Sequence, residues 1–290
     1  MHPRVTLQLP AAPHVRPPAR DLRGARCVLI GHGYVAAALS PALSDAGVTI
    51  ETISRADSPA RLRAAFSTAD FVVCSAPPAK DRRDAVLDLL QSTPTRAAWI
   101  GYLSATSVYG DRQGGWAFEG EAPTPSLPRG IARAQAEINW LVTYPTTHIF
   151  RLAGIYGPGR APFARIRSGK ARIIDAPGHV VNRIHIDDIV SALIASMRRP
   201  SPQNIYNVAD GQPAAPGEVL AYAAGLIDKA TPPTVALDHP SVSAMARSFY
   251  AETKRVDISH TKTRLEWEPR YVHYRVGLDA TLAVERKKSI

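Results

Sequence analysis

The sequence predicts an α/β protein built on a doubly wound, mostly parallel sheet. Three observations predict it. Short apolar runs alternate with Ala- and Leu-rich stretches of helical length. The first apolar run ends in a glycine-rich turn that opens a helix. The alternation then repeats at a spacing that leaves room for a crossover helix between parallel strands. Right-handed crossovers would place helices on both faces of such a sheet.

The elements follow in order. Residues 27–30 are an apolar run ending in Gly31 and read as a buried strand. Residues 34–46 read as a helix, closed by Gly47. Strands are expected at 48–53, 71–74, 97–103 and 148–152, and helices at 60–66, 81–90 and 131–142. Ligands in sheets of this kind bind beyond the carboxyl ends of the strands. The chemistry is therefore expected just after Ile30, Ile53, Cys74, Leu103 and Leu152. After Leu152 the rhythm loosens into loops containing Gly157, Pro158, Gly159 and Pro162, with a strand at 205–208 and a helix at 219–226. Residues 25–290 read as one domain, in which 157–182 and 211–290 supply most of a small C-terminal substrate lobe. Residues 1–24 are rich in Pro and Arg and read as a disordered tail.

Bulk composition narrows the class. Of 290 residues, 45% are hydrophobic and 21% charged, as in an ordinary soluble globular protein. No apolar run has the length of a membrane span, so no membrane partner is expected. Cys27 and Cys74 lie in apolar runs and read as buried free thiols, which fits a reducing cytoplasm. No zinc-like spacing occurs, and no metal is expected. The net charge of +10 is spread along the chain without a basic repeat or an aromatic-interleaved basic run. That argues against nucleic acid and leaves an anionic small molecule as the partner the charge can serve.

The first turn carries the sharpest signal. Gly31-His32-Gly33-Tyr34-Val35-Ala36 is G-x-G-x-x-A, placed after a strand and opening a helix. Gly31 permits a tight turn, Gly33 lets backbone approach a pyrophosphate, and Ala36 is small enough for close helix–strand packing. The helix N-terminus offers free N–H groups and a positive dipole to phosphates. These residues are the fingerprint of a Rossmann-type dinucleotide site. A nicotinamide site for NAD usually has an acid at the end of the second strand to bond the ribose 2′-hydroxyl. This chain has Ser54-Arg55 there. A guanidinium can pair with a 2′-phosphate through two parallel hydrogen bonds, which favours NADP over NAD. Ser75-Ala76-Pro77 closes the third strand and is expected along the adenosine side of the cofactor.

Further segments carry a resemblance. They are Leu103-Ser104-Ala105-Thr106-Ser107-Val108-Tyr109-Gly110-Asp111, then Arg151 to Arg160 reading R-x-x-x-x-Y-G-P-G-R, then Asn182-Arg183-Ile184-His185-Ile186-Asp187-Asp188. Tyr206 to Asp210 and Lys254-Arg255-Val256 follow. In this order the segments resemble the extended short-chain dehydrogenases/reductases, the NAD(P)-dependent epimerase/dehydratase family. The resemblance implies a Rossmann-type core, a substrate lobe and a homodimer. It also implies a catalytic Ser or Thr with Tyr-x-x-x-Lys on the following helix. Counting from Glu137 puts the tyrosine position on Arg129 and the lysine position on Arg133; the Ser/Thr position falls on Ala105, beside Thr106. Arginine is a poor acid or base near neutrality. The pattern resembles atypical members of that family.

Thr106, Tyr109 and Tyr156 are the remaining catalytic candidates, although both tyrosines also fit packing roles. Ser104 and Arg133 are expected at the cofactor, and Arg129, Arg160 and Arg183 at an anionic substrate. Asp188 is expected to cap the helix that follows it. Two functions stay open: an NADP(H)-dependent oxidoreductase or nucleotide-sugar epimerase/dehydratase-like enzyme, or a non-catalytic NADP(H)-binding redox sensor.

Overall fold

The computed structural model describes residues 18–79, 83–90, 92–201 and 204–288. The first half runs β1 (Arg26–Ile30), α1 (Tyr34–Asp45), β2 (Thr49–Ile53), α2 (Pro59–Thr68), β3 (Phe71–Cys74), α3 (Ala85–Leu90) and β4 (Trp99–Ala105). A 3-10 turn (Thr106–Tyr109), β5 (Trp116–Ala117), α4 (Pro128–Thr143) and β6 (Thr147–Leu152) complete it. The second half runs β7 (Gly154–Tyr156), α5 (Phe163–Arg167), β8 (Ile173–Ile174), β9 (Arg183–His185), α6 (Ile186–Arg198), β10 (Ile205–Val208), α7 (Pro216–Leu226) and β11 (Thr234–Val235). It ends with α8 (Ala244–Phe249), β12 (Arg255–Val256), α9 (Ser259–Leu265) and α10 (Tyr274–Lys288).

Six strands make one parallel sheet in the order β10-β6-β4-β3-β1-β2. The strands alternate their side chains between two cores. Cys27, Leu29, Val73, Trp99 and Phe150 pack under α1 and α6, while Val28, Ile30, Val72, Ile100 and Ile149 pack under α2, α3 and α4. Helices on both faces are the reason the strands read as continuous apolar runs. Cys27 and Cys74 are buried and free and belong to opposite cores, and burial raises both thiols above their ordinary range.

Element ends moved where local chemistry decides them. Helix α4 begins at Pro128, three residues earlier than Ile131, because proline suits the first helical position. Helix α3 begins at Ala85, where Asp84 accepts from the backbone N–H of Val86 and Leu87; part of the expected 81–90 lies outside the described residues. Strand β4 extends two residues further than expected, so its ligand-facing end is at Thr106. Residues 1–17 of the expected tail lie outside the described residues. From residue 18 the chain is placed against the fold: Leu22 is buried in the α1/α6 core, and Arg20 N–H donates to the Arg198 carbonyl at 2.7 Å.

A third core holds the smaller lobe, with Tyr156, Phe163, Ile166, Val219, Tyr274 and Leu278. Three short parallel pairs, β5–β12, β7–β9 and β8–β11, lie outside the main sheet. Residues 258–267 do not belong to it, since Ile258, Leu265 and Trp267 pack into the α1/α6 core. Among the described residues, no helix is long and apolar enough to cross a membrane.

Candidate functional site

The sheet order reverses between β1 and β3, and the glycine turn lies at that switch point. Gly31 has φ +103°, and a Cβ there would collide with the Ser75 hydroxyl. Only glycine meets both demands. Gly33 differs. It has ordinary extended backbone (φ −97°, ψ −173°), and a Cβ there would meet no protein atom within 4 Å. The protein itself gives no reason for glycine at 33, whereas a phosphate approaching the backbone does. Helix α1 starts at Tyr34 without a side-chain cap, and no acid occupies its first turn. The N–H groups of Tyr34, Val35 and Ala36 belong to the uncapped first turn and are available to an anion. The residues present therefore fit a dinucleotide pyrophosphate.

At the end of β2, Ser54 is tied down: its N–H and hydroxyl both donate to Asp57, at 2.8 and 2.9 Å. Asp57 also pairs with Arg61. Arg55 is exposed and has no side-chain partner among the described residues. Ser75 donates its hydroxyl to the Ile30 carbonyl at 3.2 Å, fixing the loop that Ala76 and Pro77 continue.

A cleft of about 810 Å³ opens beside this loop. One wall carries Thr106, Arg129 and Arg133, and the lobe wall carries His179, Arg183 and Lys254. The Thr106 hydroxyl makes no hydrogen bond among the described residues. Arg133 donates to the Leu103 carbonyl at 2.8 Å and lies 5.8 Å from the centre of the Tyr102 ring. Arg129 donates to the Ser248 hydroxyl at 3.0 Å and lies over the Phe249 ring at 4.2 Å. It thereby holds α8, which contributes no buried residue of its own, across the cleft. His179 stacks on Tyr250 at 4.6 Å, and Glu252 accepts from Lys254 at 2.9 Å and from Ser126 at 2.6 Å.

Several sequence candidates stand elsewhere. Tyr109 is fully buried, donates to Asn207 Oδ1 at 2.7 Å, and lies under the Arg151 guanidinium at 4.7 Å; burial pushes its phenol up to about 12. Tyr156 is also buried, packed against Gly277 in the lobe core, and burial raises its phenol. Ser104 donates to Glu137, which pairs with Arg151 at 2.8 Å in the sheet interior. Its hydroxyl is thus directed away from the cleft. Arg160 lies 4.8 Å above the Tyr34 ring, at the α1 end, while Tyr34 donates to the Pro158 carbonyl at 2.9 Å. Arg160 and Arg129 thus sit on different features. Asp188 does not cap α6. His185 is the cap, accepting from the Asp187 N–H, and Asp188 instead accepts from the N–H groups of Arg270 and Tyr271 at 2.7 and 3.1 Å. An acid at that point can hold a distant loop more firmly than it holds its own helix.

Nothing in the local sequence points to His179, Phe249, Tyr250 or Glu252 as cleft residues, and Lys254 stands out only as part of a resembling segment.

Solved structures place this architecture. A functionally unknown conserved protein from Silicibacter pomeroyi DSS is 40% identical, with TM-score 0.81, over 90% of this chain and 99% of that one. The chain belongs to that protein's family. Protein YeeZ of Escherichia coli K12 is 37% identical over 145 residues, 48% of this chain and 49% of YeeZ, so the match spans half the length of that curated relative. MoeE5, solved in complex with UDP-glucose and NAD, shares the fold at 18% identity and TM-score 0.77, over 91% of this chain and 100% of that one. A UDP-glucuronic acid 4-epimerase from Bacillus cereus in complex with NAD shares it at 16% identity and TM-score 0.72, over 90% of this chain and 99% of that one. The fold is therefore the one these two NAD-bound structures share. No family model matches the chain.

Proposed function

We propose that the chain is an NADP(H)-dependent oxidoreductase, or an epimerase/dehydratase-like enzyme, acting on a small anionic substrate through a non-standard active site. The observation that carries this reading is the Gly31–Ala36 turn at the sheet's switch point, with open space at Gly33, next to a basic cleft. When bound, a nicotinamide supplies a hydride donor or acceptor at a substrate carbon. The α1 N-terminus holds the pyrophosphate, and Ser75, Ala76 and Pro77 border the adenosine. Arg55, with its guanidinium unengaged, pairs with the 2′-phosphate. Arg133 keeps donors beyond the Leu103 carbonyl bond for the cofactor ribose.

On this reading Arg129 and Arg133 stand where the resembling family has tyrosine and lysine. Arg129 has become a clasp on α8. Of Thr106, Tyr109 and Tyr156, Thr106 is the one that lines the cleft, since the two tyrosines lie in the interior. It orients the substrate oxygen, while a water carries the proton, since a threonine hydroxyl is a weak acid and a weak base.

The test is a titration with NADPH and with NADH, followed by nicotinamide fluorescence, on the wild type and Arg55→Ala. Losing a charge-assisted pair of hydrogen bonds should weaken NADPH by roughly 10- to 100-fold and leave NADH unchanged. Equal affinity for both cofactors, unmoved by the substitution, would remove NADP specificity. The non-catalytic redox-sensor reading is favoured by one observation: both α4 arginines are bonded to protein groups. It would be preferred if NADPH binds tightly and no sugar nucleotide or small carbonyl oxidises it.

A further inference from the structure

The cleft's cations divide by wall, and every arginine and lysine among them makes at least one bond to the protein. Arg129 is held by Ser248 and Phe249, and Arg133 by the Leu103 carbonyl. Arg160 lies at the α1 end, outside the cleft lining. What remains is one corner of the lobe wall, where His179, Arg183 and Lys254 come together.

Three features of that corner are unexplained by the protein alone. His179 is 7% exposed, and its Nε2 is buried with no hydrogen-bond partner among the described residues. A buried polar atom left so costs stability unless something else satisfies it. Arg183 Nη1 donates to the carbonyls of Val181 and Ala214, at 2.9 and 3.0 Å, leaving Nε and Nη2 without an acceptor among the described residues. Lys254 is 8% exposed, and among the described residues its ammonium makes one hydrogen bond, to Glu252. Glu252 is the one carboxylate among the described lining residues, and both of its oxygens are already engaged, by Lys254 and by Ser126.

We propose that this corner seats a single oxyanion of the substrate, a carboxylate or a phosphoryl group. The unpaired edge of Arg183 and the spare N–H groups of Lys254 are its donors, and the oxyanion supplies the partner that His179 lacks. The proposal rests on reading the cleft as the substrate site, and it names the substrate's chemical class. An anion here fills empty donors in a partly desolvated wall, beside the charges of Glu252 on Lys254 and of Asp210 near Arg183.

The charges around His179 add a proton linkage. Burial comes first in holding its imidazole below the ordinary value, and Lys254 and Arg183 add to it; Asp111 opposes them, and the Tyr250 ring that stacks on it is uncharged. Free His179 is therefore neutral at pH 7. An oxyanion beside it cancels part of the cationic field and favours the imidazolium. Binding then takes up a proton, and affinity rises as pH falls.

The experiment uses the full chain saturated with NADPH, so that the α1 phosphate cradle is filled. Sulfate, whose charge is constant between pH 6 and 8, is titrated by calorimetry in two buffers of different ionisation enthalpy; acetate and UDP form the other arms. The expected result is sulfate binding with proton uptake, weakened on the order of tenfold in Arg183→Met. His179→Gln should still bind sulfate but lose the rise toward low pH, and Lys262→Ala, on an exposed pair outside the cleft lining, should behave as wild type. Unchanged NADPH affinity in each variant shows that it has folded. Acetate competing with sulfate assigns the seat to carboxylates; sulfate binding that acetate does not displace assigns it to phosphoryl groups. No binding of sulfate or acetate, or equal sulfate binding by wild type and Arg183→Met, overturns the proposal. UDP displacing sulfate at more than tenfold its affinity would show a diphosphate site and overturn the single seat. If NADPH does not bind, the functional reading falls, while the effect of Arg183→Met on sulfate still decides the corner.

Discussion

Truncating Glu137 probes the link between the sheet and helix α4. Glu137 and Arg151 are both fully buried, with an Oε2–Nη2 distance of 2.8 Å. The Ser104 hydroxyl donates to the same carboxylate, and the Arg151 guanidinium covers the Tyr109 ring. Arg151 Nη1 is already buried without a hydrogen-bond partner among the described residues. Glu137→Ala would leave the whole guanidinium charge uncompensated in the interior. Breaking one partner of a buried pair costs about 3–5 kcal/mol, against total stabilities of about 5–15 kcal/mol. The assay is urea unfolding followed by the fluorescence of Trp99 and Trp140, both fully buried. A double variant, Glu137→Leu with Arg151→Met, removes both charges and should recover much of the loss. The exposed pair Lys262–Glu268 is the control, and removing it should change almost nothing. A loss below about 1 kcal/mol for Glu137→Ala would refute the reasoning, because the guanidinium would then have found water or another acceptor.

Three further outcomes are expected. Gly31→Ala should cost about 1–3 kcal/mol in urea unfolding, because φ +103° is unfavourable for alanine and its Cβ would strike Ser75. Gly33→Ala should leave stability within about 0.5 kcal/mol yet weaken NADPH, because the added methyl meets no protein atom; equal losses of stability at 31 and 33 would make the whole turn architectural. Asp210 is 4% exposed, and burial pushes its carboxyl up to about 7. In the unfolded chain it ionises near pH 4, so between about pH 4 and 7 the folded state holds more protons, and stability falls as pH rises. Asp210→Asn should remove that decline and gain on the wild type by on the order of 2–4 kcal/mol between pH 5 and pH 8. An unchanged pH slope in denaturation curves would count against it.

The parallel sheet was legible because its information is local. Alternating apolar runs mark strands buried on both faces, and Gly31 with Gly33 marks the turn wherever the rest of the chain goes. The cleft was legible on its sheet side at Thr106, Arg129 and Arg133, and on its lobe side at Arg183 alone. Its other wall is brought in by contacts far apart in sequence. Val180 N–H donates to Thr253, and Asn182 bonds the Lys254 carbonyl and the Val256 N–H. Nothing near His179 in the sequence announces that Tyr250 will stack on it. The motif residues misled in an instructive way. Tyr109, Arg151 and Asn207 belong to three of the resembling segments, yet they meet one another in the interior. A shared motif can record a common scaffold as readily as a common reaction.

The pairing of β5 with β12 has a consequence for how the protein is made. Trp116 and Ala117 lie in the first half of the chain, but their partners Arg255 and Val256 come near its end. A chain emerging from the ribosome can assemble the six-stranded sheet once Ile205–Val208 has appeared. At that moment the segment around β5 still lacks its neighbour, and Trp116 is among the large apolar residues that stay exposed even in the finished fold. Closing so long a loop is slow, and it leaves a half-built cleft open to other chains meanwhile. A ligand that bridges both walls can then act as a folding aid, since it joins parts of the chain that synthesis separates.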